Sequence, residues 1–261
     1  MTVLLEHEPL SGIVQFTLNR PRERNSLSDD LVGALRERLA HHAGRADTRV
    51  IVLRAAGAAF CCGVELSQTR ALAAAAMEEN LAEASRLSAL LSEINDLPKP
   101  MVAAVQGPAL GLGVGLVAAC DIAIGAEEAK FCLPEVRTGL APALTAPWLI
   151  EAMGVRQFRR YALTGEMMSA ERAREIGLLH EVVASAALGG EALRLAVEIA
   201  QGGPTAVEEC KRLARQGGRL AAATQISESP ASLYARLRAS EESREGVAAM
   251  AARRPPPWSP A

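Results

Sequence analysis

The sequence lacks an excess of charge of either sign: 28 lysines and arginines face 30 aspartates and glutamates, for a net charge of −2. That balance favours neither a nucleic acid nor a membrane surface as partner. Disulfide and zinc spacings are missing too. The five cysteines, Cys61, Cys62, Cys120, Cys132 and Cys210, are odd in number and form no ligand pattern, so no metal site is expected. A redox pair at Cys61 and Cys62 is outweighed by the plainer reading, two small residues in a reducing compartment. The opening MTVLLEHEP has no basic n-region and no apolar h-region. No export signal is expected from it, and a cytoplasmic location is. There is no internal repeat. At 261 residues the chain can bury one large core, or a core plus a small appendage.

What is present is concentrated between Met101 and Glu135. From Met101 to Cys120 no residue is charged. A stretch of about 20 apolar residues could cross a bilayer, but its punctuation argues for a folded core. Pro100 lies at its edge, Gln106, Gly107 and Pro108 interrupt it, and Gly111, Gly113 and Gly115 follow at alternate positions. The expectation is a buried strand over Met101–Val105, a glycine turn, and a buried helix from about Gly111 to Cys120. A strand feeding such a turn and a helix N-terminus offers free backbone N–H groups to negative charge. The glycines do not match G-x-G-x-x-G and the unit lies mid-chain, which disfavours a nicotinamide dehydrogenase.

Strands and helices alternate along the rest of the chain. Val3–Glu6 and Ile13–Leu18 read as a strand pair. Ser28 reads as an N-cap, with Leu31, Leu35 and Leu39 as a helical stripe behind it. Val50–Leu53 reads as a buried strand, and a helix is expected from about Met77 to Asn95, stopped by Pro98 and Pro100. Asp121–Ala126 and Leu178–Val183 read as further strands, with Ser169 capping a short helix between them. From Gly203-Pro204 onward the pattern is helical, with Gly217 at a helix end. The expected organisation is an α/β core over 1–200 and a helical region over 201–261, ending in the proline-rich RRPPPWSPA. Arg20, Arg22 and Arg24 in the loop 19–27 form either a phosphate-binding loop or a solvated charged turn.

Five segments in this order resemble the crotonase (enoyl-CoA hydratase/isomerase) superfamily: NRPRERNSL at 19–27, AAFCCGVEL at 58–66, PKPMVAAVQGPALGLGVGLVAACDIAI at 98–124, FCLPEVRTGLAPAL at 131–144 and TGEMMSAERAREIGLLHEVV at 164–183. The resemblance covers nearly the whole chain. It implies an α/β spiral of ββα units with a C-terminal helical trimerisation region. It further implies homotrimers or hexamers that close their sites across subunits, an acyl-CoA thioester as substrate, and no separate cofactor. The run from Gly113 to Ala143 is similar to the bacterial methylglutaconyl-CoA hydratase-like branch, in which glycine at the Gly115 position is common; this points to a short or branched enoyl-CoA.

By motif position the resemblance assigns an oxyanion hole to the backbone N–H groups of Val64 and Leu112. These bulkier residues stand where the family usually has alanine and glycine, narrowing the acyl pocket. Arg22 and Arg24 match positions at the CoA phosphates, with Ser26, Cys62, Val64 and Leu66 along the adenine and pantetheine. Glu135, after Pro134, matches one of the two glutamates of family hydratases. Gly115 stands in place of the other. One carboxylate can hydrate an enoyl thioester if it takes the water proton and returns it to carbon, and it also suffices for a 1,3-proton shift. Hydratase, isomerase and a CoA-binding homologue with little turnover are the three readings.

Overall fold

The computed structural model describes residues 2–221 and 230–254. Its main sheet has six strands in the order β1 (Leu4–Leu10), β2 (Ile13–Leu18), β3 (Val50–Ala55), β4 (Met101–Val105), β6 (Ile122–Ala126) and β9 (Glu181–Val183). The first pair is antiparallel, and every later pairing is parallel. Short strands β5 (Ala109–Leu110), β7 (Lys130–Cys132) and β8 (Met168–Ser169) make a second sheet. Isolated parallel bridges join Leu27 to Val64 and Cys61 to Ala109, so the chain after β2, β3, β4 and β6 repeatedly contributes a short crosswise segment. A helix follows each segment: α1 (Asp29–Ala43), α3 (Met77–Asp96), α4 (Leu112–Ala119) and α5 (Ala146–Thr164), with the short α2 (Leu66–Ala73) before α3. The result is the α/β spiral of ββα turns.

Both faces of the parallel strands are covered, which is why Val50–Leu53 of β3 and the whole of β4 read as unbroken apolar runs rather than alternating ones. Ile51, Leu53, Met101, Ala103 and Val105 face a large core shared with α1 and α3. Val50, Val52, Val102 and Ala104 face the opposite way, onto Leu188, Ala192 and Ala196 of α7 (Leu188–Gln201). On α1, Ser28 Oγ accepts the Leu31 N–H, and Leu31, Leu35 and Leu39 are all buried. On α3, Leu87, Leu90, Leu91 and Ile94 are fully covered, each worth about 1.5–3 kcal/mol of transfer from water.

Five elements differ from the sequence expectation. First, β1 extends to Leu10, where it pairs with Ile13. At Leu178–Val183 only Glu181–Val183 is strand, because the Leu178 and Leu179 N–H groups both turn back to Ala173 O to close α6 (Ala170–Glu175). Gly217 does not end its helix: α8 (Pro204–Ala221) runs on past it. Helices α5 and α7 were not legible beforehand, and α5 is itself broken at Gly154 (φ +74°). The charge-free run Met101–Cys120 is divided among β4, β5 and α4, and no described helix is long and apolar enough to cross a membrane. Residues 255–261 of the proline-rich end lie outside the described residues.

The C-terminal helices return to the core. Lys211 on α8 donates to Asp121 Oδ2 (2.7 Å) and to the carbonyls of Ile94 and Lys99. Helix α9 (Pro230–Arg238) packs on α3. Helix α10 (Glu241–Ala251) packs on α2 and on the 3-10 turn Glu135–Thr138.

Candidate active site

The loop after β2 is built around Asn25, which is fully buried. Its Nδ2 donates to Ala56 O and Ala59 O, and its Oδ1 accepts the Arg20 N–H, each at 2.8 Å. This clasp holds Arg24 and Asn25 in the left-handed region, at φ +52° and +54°. Asparagine tolerates that region, whereas arginine there costs about 1–2 kcal/mol. The three arginines then diverge. Arg20 is spent on structure, pairing with Glu65 (2.6 Å) and donating to Ser26 O. Arg22 is exposed on the 3-10 turn Pro21–Glu23. Only Arg24 lines the cavity described next, and its carbonyl accepts the Cys62 N–H at 3.1 Å.

A cavity of about 390 Å³ runs from Arg24, Ser26 and Cys62, past Val64 and Leu112, to Leu140, Leu144 and Thr145. Gly63 makes its middle possible. At φ +78°, a Cβ on Gly63 would meet Leu110 O at 2.9 Å and Leu112 N at 3.4 Å, so only glycine lets the two chain segments lie this close. The approach brings the Val64 and Leu112 amides to one cavity wall. Neither N–H has an acceptor among the described residues. Leu112 is the first residue of α4, where the helix dipole adds partial positive charge.

Glu135 faces this pair. It opens a 3-10 turn whose Thr138 hydroxyl and Leu140 N–H both donate to Glu135 O, fixing the backbone. Its Oε1 lies 3.1 Å from where a Cβ on Gly111 would stand, beside the Leu112 amide. Its Oε2 is buried with no hydrogen-bond partner among the described residues. Loss of water pushes the Glu135 carboxyl up to about 7, partly opposed by a backbone hydrogen bond. The Cys62 thiol is raised by burial, against a smaller opposing pull from Arg24.

The remaining sequence candidates are placed as follows. Leu66 begins α2, next to Glu65. Gly115 is buried in α4 but does not line the cavity, and Thr145 and Leu91 occupy the space in front of it. Asn25, Thr145, Val247 and Met250 were missed. The last two sit on α10, which covers part of the cavity from within the same chain. A second cavity, about 720 Å³, lies by Cys120, Asp121, Trp148 and Lys211, where Lys211 is already committed to Asp121. No cluster of three or more metal-ligating side chains occurs among the described residues.

Two backbone donors opposite one desolvated carboxylate, on a ββα spiral, form an arrangement that can polarise a carbonyl group and move a proton beside it. A family model described as enoyl-CoA hydratase/isomerase matches residues 8–260, and the chain belongs to that family. It is 31% identical over 247 residues to a 2,3-dehydroadipyl-CoA hydratase of Escherichia coli, covering 94% of each chain. It is also 31% identical over 254 residues to a mevalonyl-coenzyme A hydratase of Aspergillus fumigatus, covering 97% of this chain and 93% of that one. The crystal structure of an enoyl-CoA hydratase from Mycobacterium avium superposes with a TM-score of 0.87 at 31% identity, covering 99% of this chain and all of the other.

Proposed function

We propose that the protein is an enoyl-CoA hydratase that works with a single carboxylate. The observation that carries this reading is the orphaned, desolvated Glu135 facing the free Val64 and Leu112 amides. The thioester oxygen accepts from the two amides, so charge that develops on it during addition meets donors already in place. One such donor is typically worth about 10²–10³ in rate. Glu135 takes a proton from water as the water oxygen bonds to C3, and electrons move from the C2–C3 double bond into the enolate. The resulting carboxylic acid delivers that proton to C2 on the same face, restoring the carboxylate and the thioester. A carboxyl group titrating near 7 is matched to both halves of this exchange. Arg24 and the backbone around Ser26, Cys62, Val64 and Leu66 hold the CoA portion in this proposal, with Arg22 reaching its phosphates from outside the cavity.

A second reading, isomerisation between 3-enoyl and 2-enoyl thioesters, draws on the same lone base and on the crowding in front of Gly115. Incubation with crotonyl-CoA and with a 3-enoyl-CoA, followed by enoyl-thioester absorbance, separates the two. Loss of absorbance with the first supports the hydratase, and a gain confined to the second supports the isomerase. The homotrimer or hexamer belongs to the same proposal, and light scattering at micromolar concentration tests it.

A further inference from the structure

We infer that the acyl group accepted here is uncharged along its whole length, and that enoyl-CoAs ending in a second carboxylate are rejected. The inference rests on the acyl-CoA reading of this cavity and names the substrate class within it. The far end of the cavity is walled by Leu112, Leu140, Leu144 and Thr145, all buried, with Val247 above them. Apart from the Leu112 N–H, which serves the thioester oxygen in this reading, its threonine hydroxyls and three amides of the 140–145 segment are already committed. The hydroxyls of the three threonines lining the cavity donate to main-chain carbonyls: Thr69 to Glu65 O (3.1 Å), Thr138 to Glu135 O (2.9 Å) and Thr145 to Pro142 O (3.2 Å). The N–H groups of Leu140, Ala143 and Thr145 donate to Glu135 O, Ala141 O and Pro142 O.

Cations are equally scarce there. Among the described residues lining the cavity the one cation is Arg24, at the opposite end beside Cys62. Two arginines on adjoining elements are engaged elsewhere. Arg137 lies against Gly165, and Arg244 donates to Ala73 O and Ala239 O. A substrate carboxylate would therefore lose its water without gaining a partner, and it would share the cavity with Glu135. The relative that takes 2,3-dehydroadipyl-CoA handles an acyl chain with such a terminal carboxylate. Among the described residues this cavity has no provision for one, which also sets it against 3-methylglutaconyl-CoA, whose acyl group ends in a carboxylate too.

The test is a matched pair with the same six-carbon chain, 2-hexenoyl-CoA against 2,3-dehydroadipyl-CoA, together with calorimetric binding of the saturated hexanoyl-CoA and adipyl-CoA. The expected result is a preference of about 100-fold in kcat/KM and at least about tenfold in binding for the neutral partner. Equal or tighter binding of adipyl-CoA overturns the inference, whatever the kinetics. Absence of turnover on both enoyl thioesters, with the binding preference intact, removes the hydratase reading and leaves the inference standing. Leu144→Arg places a cation at the far wall and is expected to narrow the binding gap. Should that variant fail to fold, the parent comparison decides alone.

Discussion

Thr145 occupies the room a side chain at Gly115 would need: a Cβ there would stand 2.4 Å from Thr145 Cγ2 and 3.3 Å from Leu91 Cδ1. The absence of a second glutamate is thus built into the packing of α3, α4 and the 140–145 segment. Restoring the acid by Gly115→Glu is expected to destabilise the protein by about 1–3 kcal/mol, the usual range for overpacking, without raising hydration. Thr145→Ala removes the colliding methyl and is expected to recover part of that loss in the double variant. Denaturant unfolding of the four-member cycle checks the coupling, which strict additivity would refute.

Replacing the base is the next test. Glu135→Gln keeps the shape of the side chain but cannot accept the proton, so kcat is expected to fall by about 10²–10⁴ while acyl-CoA affinity survives. Unchanged turnover on every enoyl-CoA would sink the catalytic role and favour a binding protein.

The pH profile distinguishes one carboxylate from two. With a single group, both hydration and dehydration begin from the carboxylate form. Activity is expected to fall about tenfold per unit below the Glu135 pKa of about 7 and to stay level just above it. A pair of carboxylates held in opposite protonation states would give a bell instead. Measuring kcat/KM in both directions from pH 5 to 9 tells them apart.

The same shift affects stability. The folded pKa, about 7, lies above the unfolded value near 4.5, so the neutral form is favoured by folding. Stability is fully present below about 4.5 and is lost as pH rises through 7. Glu135→Gln abolishes that loss. Its stability relative to the parent is expected to improve by about 1–3 kcal/mol between pH 4 and pH 8, measured by denaturant unfolding. No pH dependence in that difference would contradict the desolvated state of the carboxyl.

Sequence patterns revealed those parts of the fold that depend on local spacing. The Leu31, Leu35 and Leu39 stripe, the Ser28 cap and the apolar β3 and β4 runs could be read because period and capping are properties of neighbours. Helix α7 was obscured by Gly189 and Gly190 in its first turn, which mimic a loop although its Leu188, Ala192 and Ala196 cover the sheet. At the site, the motif order singled out Val64, Leu112, Glu135 and Arg24. Thr145 had no local signal, since its meaning comes from Gly115, thirty positions earlier in the chain. Nor did Asn25, whose partners Ala56 and Ala59 lie on the next turn of the spiral. Val247 and Met250 reach the cavity only because α10 folds back over it.

The arginine loop supplies the last test. Arg22 and Arg24 are both exposed, but only Arg24 lines the cavity, so their contributions to CoA binding should differ. A charge-assisted phosphate contact at the cavity mouth is worth about 1.5–3 kcal/mol once the bound CoA covers it, whereas one made outside the cavity stays in water and is screened. Arg24→Ala is expected to weaken CoA binding about 10–100-fold, and Arg22→Ala by less than about fivefold. Affinity of the parent should fall with added salt, and that dependence should flatten in the Arg24 variant. The backbone gives an independent control. Because Arg24 is held at φ +52°, Arg24→Gly removes the same charge but also relieves the left-handed strain, and should be about 1 kcal/mol more stable than Arg24→Ala. Equal loss of CoA affinity in the two Arg24 variants, despite different stabilities, would assign the loss to the charge. A loss seen only in the alanine variant would assign it to the loop.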